Sequence, residues 1–128
     1  MVLNPTRPSP RMLVMDDAAV TREMLRKGLK CSGVDAAGAA NATDALRIVA
    51  DTPPYAVLLD MGLPDTDGYD LCRLLRERPN THRTPIIGLP PGHSPDVQRA
   101  LDAGCNAVLV KPCPPEYVFL ELRRVLPS

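Results

Sequence analysis

The sequence predicts an α/β fold, a doubly wound five-stranded parallel sheet with helices on both faces. Short apolar segments alternate five times with segments whose apolar residues recur at helical spacing. The connecting segments are short, and several of the apolar runs are closed abruptly by polar residues. Such runs are typical of strands that are buried on both faces of a parallel sheet, and short connections favour right-handed crossovers. The flavodoxin-like strand order 2-1-3-4-5 is common for such sheets, and we expect it here.

Each predicted strand is a short apolar run. The first ends at Asp16 and Asp17, the third is followed directly by Asp60, and the fifth presents Lys111. The second is the weakest of the five and is followed by Gly38. The predicted strands are Met12–Met15, Val34–Ala37, Tyr55–Leu59, Ile86–Leu89 and Ala107–Val110.

The predicted helices are marked by apolar spacing and by the residues at their ends. The first contains an apolar stripe made of Val20, Met24, Leu25 and Leu29. The fourth is predicted to have Ser94 as its N-cap and Pro95 as its first residue, and to end before Gly104. The second to fifth predicted helices are Ala42–Val49, Tyr69–Leu75, Pro95–Ala103 and Glu116–Leu126.

Size and charge limit the class of protein. The chain has 128 residues, enough for one domain, and its proline-rich residues 1–10 predict a flexible lead before a folded domain at 11–128. Fifteen acidic residues balance fifteen basic ones, so no overall field favours direct binding to nucleic acid or to an anionic membrane. The sequence shows no signal-peptide pattern and no apolar run near the roughly 20 residues that span a bilayer. We therefore expect a cytoplasmic protein.

The four cysteines are spread along the chain, at Cys31, Cys72, Cys105 and Cys113. They show no C-x-x-C spacing and no paired histidine, so neither a zinc site nor a thioredoxin-like motif is predicted. Free thiols in a reducing compartment are the simpler interpretation.

Charged residues follow three of the predicted strands. Asp16 and Asp17 come after the first, Asp60 after the third and Lys111 after the fifth. The carboxyl ends of parallel strands share one edge of the sheet, so these side chains are predicted to gather in one crevice. Clustered carboxylates need a cation or shared protons, and oxygen ligands favour a hard ion such as Mg²⁺. A single Asp after a strand is usually a turn former or a helix cap, so the prediction depends on the combination.

These residues belong to motifs that resemble the receiver domain of two-component response regulators. The resemblance extends from about Arg11 to Leu126 and is specific as a set. Its motifs are Met15-Asp16-Asp17, Leu58-Leu59-Asp60-Met61-Gly62-Leu63-Pro64-Asp65-Thr66-Asp67-Gly68, Ala103-Gly104-Cys105-Asn106 and Val110-Lys111-Pro112.

The resemblance implies a role for each acidic residue of the crevice. Asp60 would be the phosphoacceptor and would take a phosphoryl group from a histidine kinase or a phosphotransfer protein. Asp17 would bind Mg²⁺ directly and Asp16 mainly through water. Asp60 and the backbone carbonyl of Gly62 would complete the metal ligands, and the Gly62 N–H would contact the phosphoryl group. The implied chemistry is in-line phosphoryl transfer, in which the protein supplies positioning and charge neutralisation.

The resemblance also implies how Lys111 is positioned and which surface passes the signal on. Lys111 would pair with Asp60 at rest and with the phosphoryl group afterwards, and Pro112 would follow a cis peptide bond. A downstream protein would bind the face of the fourth helix, fifth strand and fifth helix. Three apolar residues of the fifth helix belong either to the core or to a homodimer surface, and periodicity does not separate the two: Val118, Phe119 and Leu122.

Three positions depart from the family pattern. Pro90 stands where the family has Thr or Ser, so it offers no hydroxyl to a phosphoryl oxygen. Pro91 follows it and has no backbone N–H to donate. Val108 stands where the family has a Tyr or Phe that swings inward on activation. Phosphoryl transfer is therefore predicted to be slower than is usual, and the conventional switch to be impaired.

Two alternatives stay open at this point. A pseudo-receiver would keep the fold and act as a protein-binding module without phosphate, and the Pro90-Pro91 pair favours it because it stiffens a loop that normally moves. A phosphatase with an aspartyl nucleophile is disfavoured, because that class carries a D-x-D motif and here Asp16 and Asp17 are adjacent. We therefore expect no enzyme activity beyond the chain's own phosphorylation and dephosphorylation.

Overall fold

The computed structural model describes residues 11–63, 67–92 and 95–126, and the elements in these ranges alternate strictly. The predicted lead at residues 1–10 and the predicted cap Ser94 lie outside the described residues. The strands are β1 (Met12–Met15), β2 (Ala36–Ala39), β3 (Val57–Asp60), β4 (Ile86–Leu89) and β5 (Ala107–Val108). The helices are α1 (Ala19–Cys31), α2 (Ala42–Asp51), α3 (Gly68–Glu77), α4 (Val97–Ala103) and α5 (Pro115–Val125). None of the described helices is long and apolar enough to cross a membrane.

The five strands are all parallel and lie in the order β2-β1-β3-β4-β5, which confirms the predicted fold class and strand order. The neighbouring strands β1 and β3 are in register, with Met15 opposite Leu59. The next residue of each strand is acidic, so Asp16 and Asp60 emerge side by side at the carboxyl edge of the sheet.

Alternate residues of the central strands point to opposite faces, and each face is covered by helices. The strand residues that pack against α2, α3 and α4 are Leu13, Met15, Val57 and Leu59. Those that pack against α1 and α5 are Met12, Val14 and Leu58. All seven are at most 1% exposed, and burial of each such large side chain stabilises the fold by roughly 1.5–3 kcal/mol.

The apolar stripe predicted for α1 is only half right. Leu25 and Leu29 are buried, but Val20 is 84% exposed and Met24 is 50% exposed. Residues one position apart on a helix point about 100° apart, so the two apolar pairs occupy adjacent strips of the helix surface. Only the strip with Leu25 and Leu29 faces the sheet.

The second strand lies further along the chain than predicted. It spans Ala36–Ala39, pairs with the whole of β1, and includes Gly38. The predicted first residue, Val34, instead donates its N–H to the carbonyl of Leu29 and closes the end of α1. Hydrogen bonds to the preceding helix therefore displace the strand from its predicted start.

The remaining boundaries differ at element ends. The fourth helix begins at Val97, after Pro95, and its N-cap is Asp96, whose side chain accepts the N–H of Arg99 at 3.0 Å. The fifth strand is an edge strand of two residues rather than four, and β3 begins at Val57 rather than Tyr55.

The fifth helix settles the open question about its apolar residues in favour of the core. Val118 and Leu122 are at most 2% exposed, and Phe119 is half-buried against the same cluster. The exposed apolar residues of this helix are Tyr117 and Leu120.

The first residue of α3 lies directly against the end of β3. A Cβ atom added to Gly68 would stand 2.6 Å from the Cα of Met61 and 2.8 Å from the carbonyl oxygen of Asp60. Both neighbours are backbone atoms, so they cannot rotate out of the way. The close contact fixes the position of α3 relative to the strand end that carries Asp60.

We predict that Gly68→Ala lowers the free energy of unfolding by about 1–3 kcal/mol, because the added methyl group forces the backbone apart. Gly38→Ala is the matched control, since its Cβ would meet only the flexible side chains of Arg22 and Arg26, at 3.1 Å. Urea unfolding of both variants measures the difference. Equal stability of the two variants would contradict the prediction.

Candidate functional site

The predicted crevice forms at the carboxyl edge of the sheet. Asp16 follows β1, Asp60 is the last residue of β3, and Lys111 follows β5. Side-chain oxygens of Asp16, Asp17 and Asp60 lie within 4.8 Å of one another. Asp16 and Asp60 are only 0% and 3% exposed, whereas Asp17 is exposed to solvent.

Lys111 joins the two buried carboxylates. Its Nζ donates to Oδ2 of Asp16 at 3.0 Å and to Oδ2 of Asp60 at 3.2 Å. The other oxygen of each carboxylate accepts a backbone N–H, from Ala18 to Asp16 and from Gly62 to Asp60, both at 2.9 Å. Every oxygen of the two buried carboxylates therefore has a hydrogen-bond partner, which is what burial of charged groups requires.

The charges of the site do not balance. Three carboxylates share one ammonium group, so two negative charges are left over. Closely spaced carboxylate oxygens with an excess negative charge suit a hard divalent cation, and Mg²⁺ takes one or two carboxylates together with water. The donor set of the described residues fits such an ion.

Burial and neighbouring charges compete in setting the protonation of the ion pair. Burial raises the pKa of the Asp60 carboxyl, and together with the charge of Asp16 it outweighs the opposing effects of the Gly62 N–H and of Lys111. Burial lowers the pKa of the Lys111 ammonium, but the hydrogen bond to Asp16 and the charges of Asp60 and Asp16 together raise it. Lys111 therefore stays charged at neutral pH.

The two prolines after β4 lie at the site, as the sequence predicts. Pro90 is buried, and its carbonyl accepts the backbone N–H of Lys111 at 3.3 Å. The ring of Pro91 would lie 3.5 Å from a Cβ on Gly62, and that Cβ would lie 3.6 Å from Oδ1 of Asp60. The edge beside Asp60 is thus covered by a ring that carries no donor.

The remaining predicted positions lie on or after β5. Val108 is half-buried and pairs with Gly88 of β4, as an ordinary strand residue. The peptide bond between Lys111 and Pro112 is cis.

A family model for the response regulator receiver domain matches residues 12–123. The chain belongs to this family. The matched range contains the described strands and helices from β1 through most of α5, and all of the acidic crevice.

Known proteins with similar sequences and folds agree with this membership. The response regulator MprA of Mycobacterium sp. (strain KMS) is 36% identical over 117 residues, which cover 91% of this chain and 50% of MprA. The transcriptional regulatory protein PrrA of Mycobacterium tuberculosis is 37% identical over 115 residues, which cover 89% of this chain and 47% of PrrA. The receiver thus spans about half the length of these relatives. The solved structure of the chemotaxis protein CheY4 of Vibrio cholerae matches with a TM-score of 0.85 and 26% identity, and covers 93% of this chain and 100% of CheY4.

Two features of the receiver site were not predicted from sequence. A Cβ on Gly92 would lie 2.0 Å from the carbonyl oxygen of Lys111, so the segment after β4 passes directly beside the segment after β5. Arg99 of α4 stacks on the ring of Tyr69 at 3.8 Å and pairs with Asp67 at 2.9 Å, which ties α4 to the start of α3. The run Pro90-Pro91-Gly92 is typical of a tight turn, which is a weak sequence signal for the close approach of Gly92 to Lys111. The contacts of Arg99 depend on tertiary packing alone.

We predict that Asp60→Asn raises the free energy of unfolding near neutral pH. The raised pKa means that the folded state binds the Asp60 proton more tightly than the unfolded chain does, so stability is lost as pH rises through the folded-state pKa. Asn resembles the protonated form and avoids that loss.

Urea unfolding of the variant and the wild type across pH is the measurement, with the exposed Asp70→Asn as control. The two proteins should converge as pH falls below 3.8, the ordinary pKa of the Asp carboxyl. If Asp60→Asn is less stable than wild type near neutral pH, the ion pair outweighs the burial of Asp60 and the prediction is wrong.

Proposed function

We propose that this receiver takes part in a two-component phosphorelay and accepts a phosphoryl group on Asp60. The donor would be the phosphohistidine of a histidine kinase or of a phosphotransfer protein. The observation that carries the proposal is the placement of Asp60, a buried carboxylate bonded to Lys111 and clustered with Asp16 and Asp17. The family match supports the same function.

In the proposed reaction, a carboxylate oxygen of Asp60 attacks the phosphorus of the phosphohistidine, and the phosphorus–nitrogen bond breaks. The Gly62 N–H and the Lys111 ammonium hold the two oxygens of Asp60, at 2.9 and 3.2 Å, and so fix the plane of the nucleophile. Lys111 is also bonded to Asp16, so it stays at the site when its contact with Asp60 is exchanged for a phosphoryl oxygen. Such positioning is the main contribution of the protein to phosphoryl transfer.

Mg²⁺ would be held by Asp17 and Asp60, by the carbonyl of Gly62, and by Asp16 mainly through water. Both oxygens of Asp16 already accept hydrogen bonds, which favours its indirect role, and the exposure of Asp17 favours a direct one. When bound, the ion would neutralise negative charge on the phosphoryl oxygens.

Two hydrogen bonds usual in the family would be absent from the phosphorylated state. Pro90 offers no hydroxyl and Pro91 no N–H, and hydrogen bonds to a charged group are worth roughly 1.5–3 kcal/mol each. We propose that phosphorylation is correspondingly slow. With Val108 in place of an aromatic residue, the conventional switch is impaired as well.

The proposed output surface is the face of α4, β5 and α5. Its exposed apolar side chains range from 41% to 59% exposure and are Val97, Leu101, Val110, Tyr117 and Leu120. Exposed apolar side chains that share a surface mark a binding region. We propose that a cytoplasmic downstream protein binds there, or a second copy of the chain in a homodimer, rather than nucleic acid or a membrane.

We predict that acetyl phosphate with Mg²⁺ adds the mass of one phosphoryl group to the protein, because Asp60 is the buried nucleophile of the site. Intact-mass spectrometry measures the adduct, which should be absent from Asp60→Asn and present in the exposed control Asp70→Asn. Failure of the wild type to form any adduct after long incubation would contradict the proposal.

We predict that the double variant Pro90→Thr, Pro91→Ala forms the adduct faster, by about 10-fold or more. It restores a hydroxyl and an N–H, and the loss of one such donor slows a reaction by about 10²–10³. Pro95→Ala, at an exposed position before α4, is the matched control and should leave the rate unchanged. An unchanged rate in the double variant would show that the prolines do not limit phosphorylation.

A second candidate is a pseudo-receiver that binds a partner protein without phosphate. It is favoured by one observation, the donor-free ring of Pro91 beside Gly62 and Asp60. The adduct experiment separates the two candidates, because only the first requires phosphorylation of Asp60.

A further inference from the structure

We propose that Cys72 and Cys105 form a redox-sensitive pair, which a small peroxide converts to an intramolecular disulfide between α3 and the turn that precedes β5. The two Sγ atoms are 3.8 Å apart, and both residues are buried. A disulfide has a sulfur–sulfur distance of about 2.05 Å, so closure requires a relative movement of about 2 Å. The proposal requires rotation of the two side chains, with a small backbone adjustment, to supply this movement.

Both cysteines lie in the same core cluster, and Gly88 leaves room for one of the thiols. A Cβ on Gly88 of β4 would lie 2.8 Å from the Sγ of Cys105, so the missing side chain at this position leaves the space that the thiol occupies. Cys72 lies on the face of α3 that packs into the same core cluster. The thiols therefore meet in a space that the residue at position 88 determines.

Arg76 anchors the two backbone segments that carry the cysteines. It lies one helical turn after Cys72 and donates from Nε and Nη2 to the carbonyl of Gly104, at 3.0 and 2.8 Å. Gly104 directly precedes Cys105, and its φ of 120° belongs to the end of α4. This contact keeps α3 and the turn side by side and places a positive charge near both thiols.

The reactivity of the pair follows from its charges. The hydrogen bond from Cys105 lowers the pKa of the Cys72 thiol; burial opposes this, and the charges of Arg76 and Arg73 assist it. The same hydrogen bond and burial raise the pKa of Cys105. In the proposal Cys72 is the thiol that ionises, because the thiolate is the reactive form of cysteine. Cys105 is 6% exposed and Cys72 is 0% exposed, so an oxidant must enter through local movement of the surrounding side chains, which favours a small one.

The reaction balances with hydrogen peroxide as the oxidant. The Cys72 thiolate attacks one peroxide oxygen and the oxygen–oxygen bond breaks. Cys72 becomes a sulfenic acid, and the departing hydroxide takes up the proton that Cys72 released, which gives the first water molecule. The Cys105 thiol attacks that sulfur, the sulfur–sulfur bond forms, and the oxygen departs as water with the Cys105 proton. The two thiols lose two electrons in total, and one peroxide becomes two water molecules.

The bridge would connect parts of the molecule with different roles. The first residue of α3, Gly68, packs on the backbone of Asp60, whereas α4 and β5 belong to the proposed output surface. A disulfide would fix α3 to the junction of α4 and β5, so oxidation would restrict movement of the output surface without any change at Asp60.

The test uses the Cys31→Ser, Cys113→Ser variant, which retains only the proposed pair. After treatment with hydrogen peroxide, denaturation and alkylation, both thiols should disappear together, with the loss of two hydrogen atoms from a monomeric protein. Digestion without reductant should give one peptide pair joined through Cys72 and Cys105. Retention of both thiols, intermolecular dimers, or oxygen addition without cross-linking would each overturn the proposal. No phosphodonor is present, so the result is independent of whether Asp60 is phosphorylated.

Two further measurements keep the proposal testable if a core substitution disturbs folding. In the same background, Cys105→Ala should slow the peroxide-driven loss of the remaining thiol by about 10-fold, with folding checked by circular dichroism. The cross-linked protein, which needs no core substitution, should unfold at higher urea concentration than its reduced form, because the bridge constrains the unfolded chain. An equal or lower midpoint would show that the bridge does not fit the native fold and would overturn the proposal.

Discussion

The ammonium group of Lys111 lies between the carboxylates of Asp16 and Asp60, and the rest of the carboxyl edge depends on this arrangement. Two strands that pair side by side each end in a buried acid, and such a pair repels itself unless a cation intervenes. Replacing Lys111 would leave two buried carboxylates without their shared cation, and uncompensated buried charge is strongly destabilising, so the lysine is needed for stability before any reaction takes place. The ammonium group of Lys111 therefore stabilises the resting fold and would also take part in the proposed phosphoryl transfer.

The sequence predicted most of this edge because the signals there are local. An acid directly after an apolar run marks the end of a strand, and two such ends together with Lys111 define a crevice once the sheet is parallel. It was wrong about Val20 and Met24 because an apolar stripe shows that a helix has an apolar side, but not which strip faces the sheet. The contact of Arg99 with Tyr69 could not be predicted, since it joins residues from two helices whose packing no local pattern encodes.

The segment after β4 and the segment after β1 contribute to the site in opposite ways. Asp16 and Asp17 supply negative charge, and both oxygens of Asp16 accept hydrogen bonds, whereas Pro90 and Pro91 supply shape without donors. Gly92 then passes so close to the carbonyl of Lys111 that a side chain has no room there. The site is thus well adapted to hold a cation and a lysine in place, and less well adapted to surround an anion with hydrogen bonds.

In the proposed function, the donor-free ring of Pro91 beside Gly62 would change how fast the phosphorylated state forms and decays, in addition to its stability. Hydrogen bonds to the transferring phosphoryl group stabilise the transition state, so their absence slows the gain and the loss of that group alike. The occupancy of such an acceptor would follow the average activity of its donor over an extended period and disregard brief pulses. Two adjacent prolines would in this way make the level of phosphorylation respond slowly to changes in the activity of the phosphodonor.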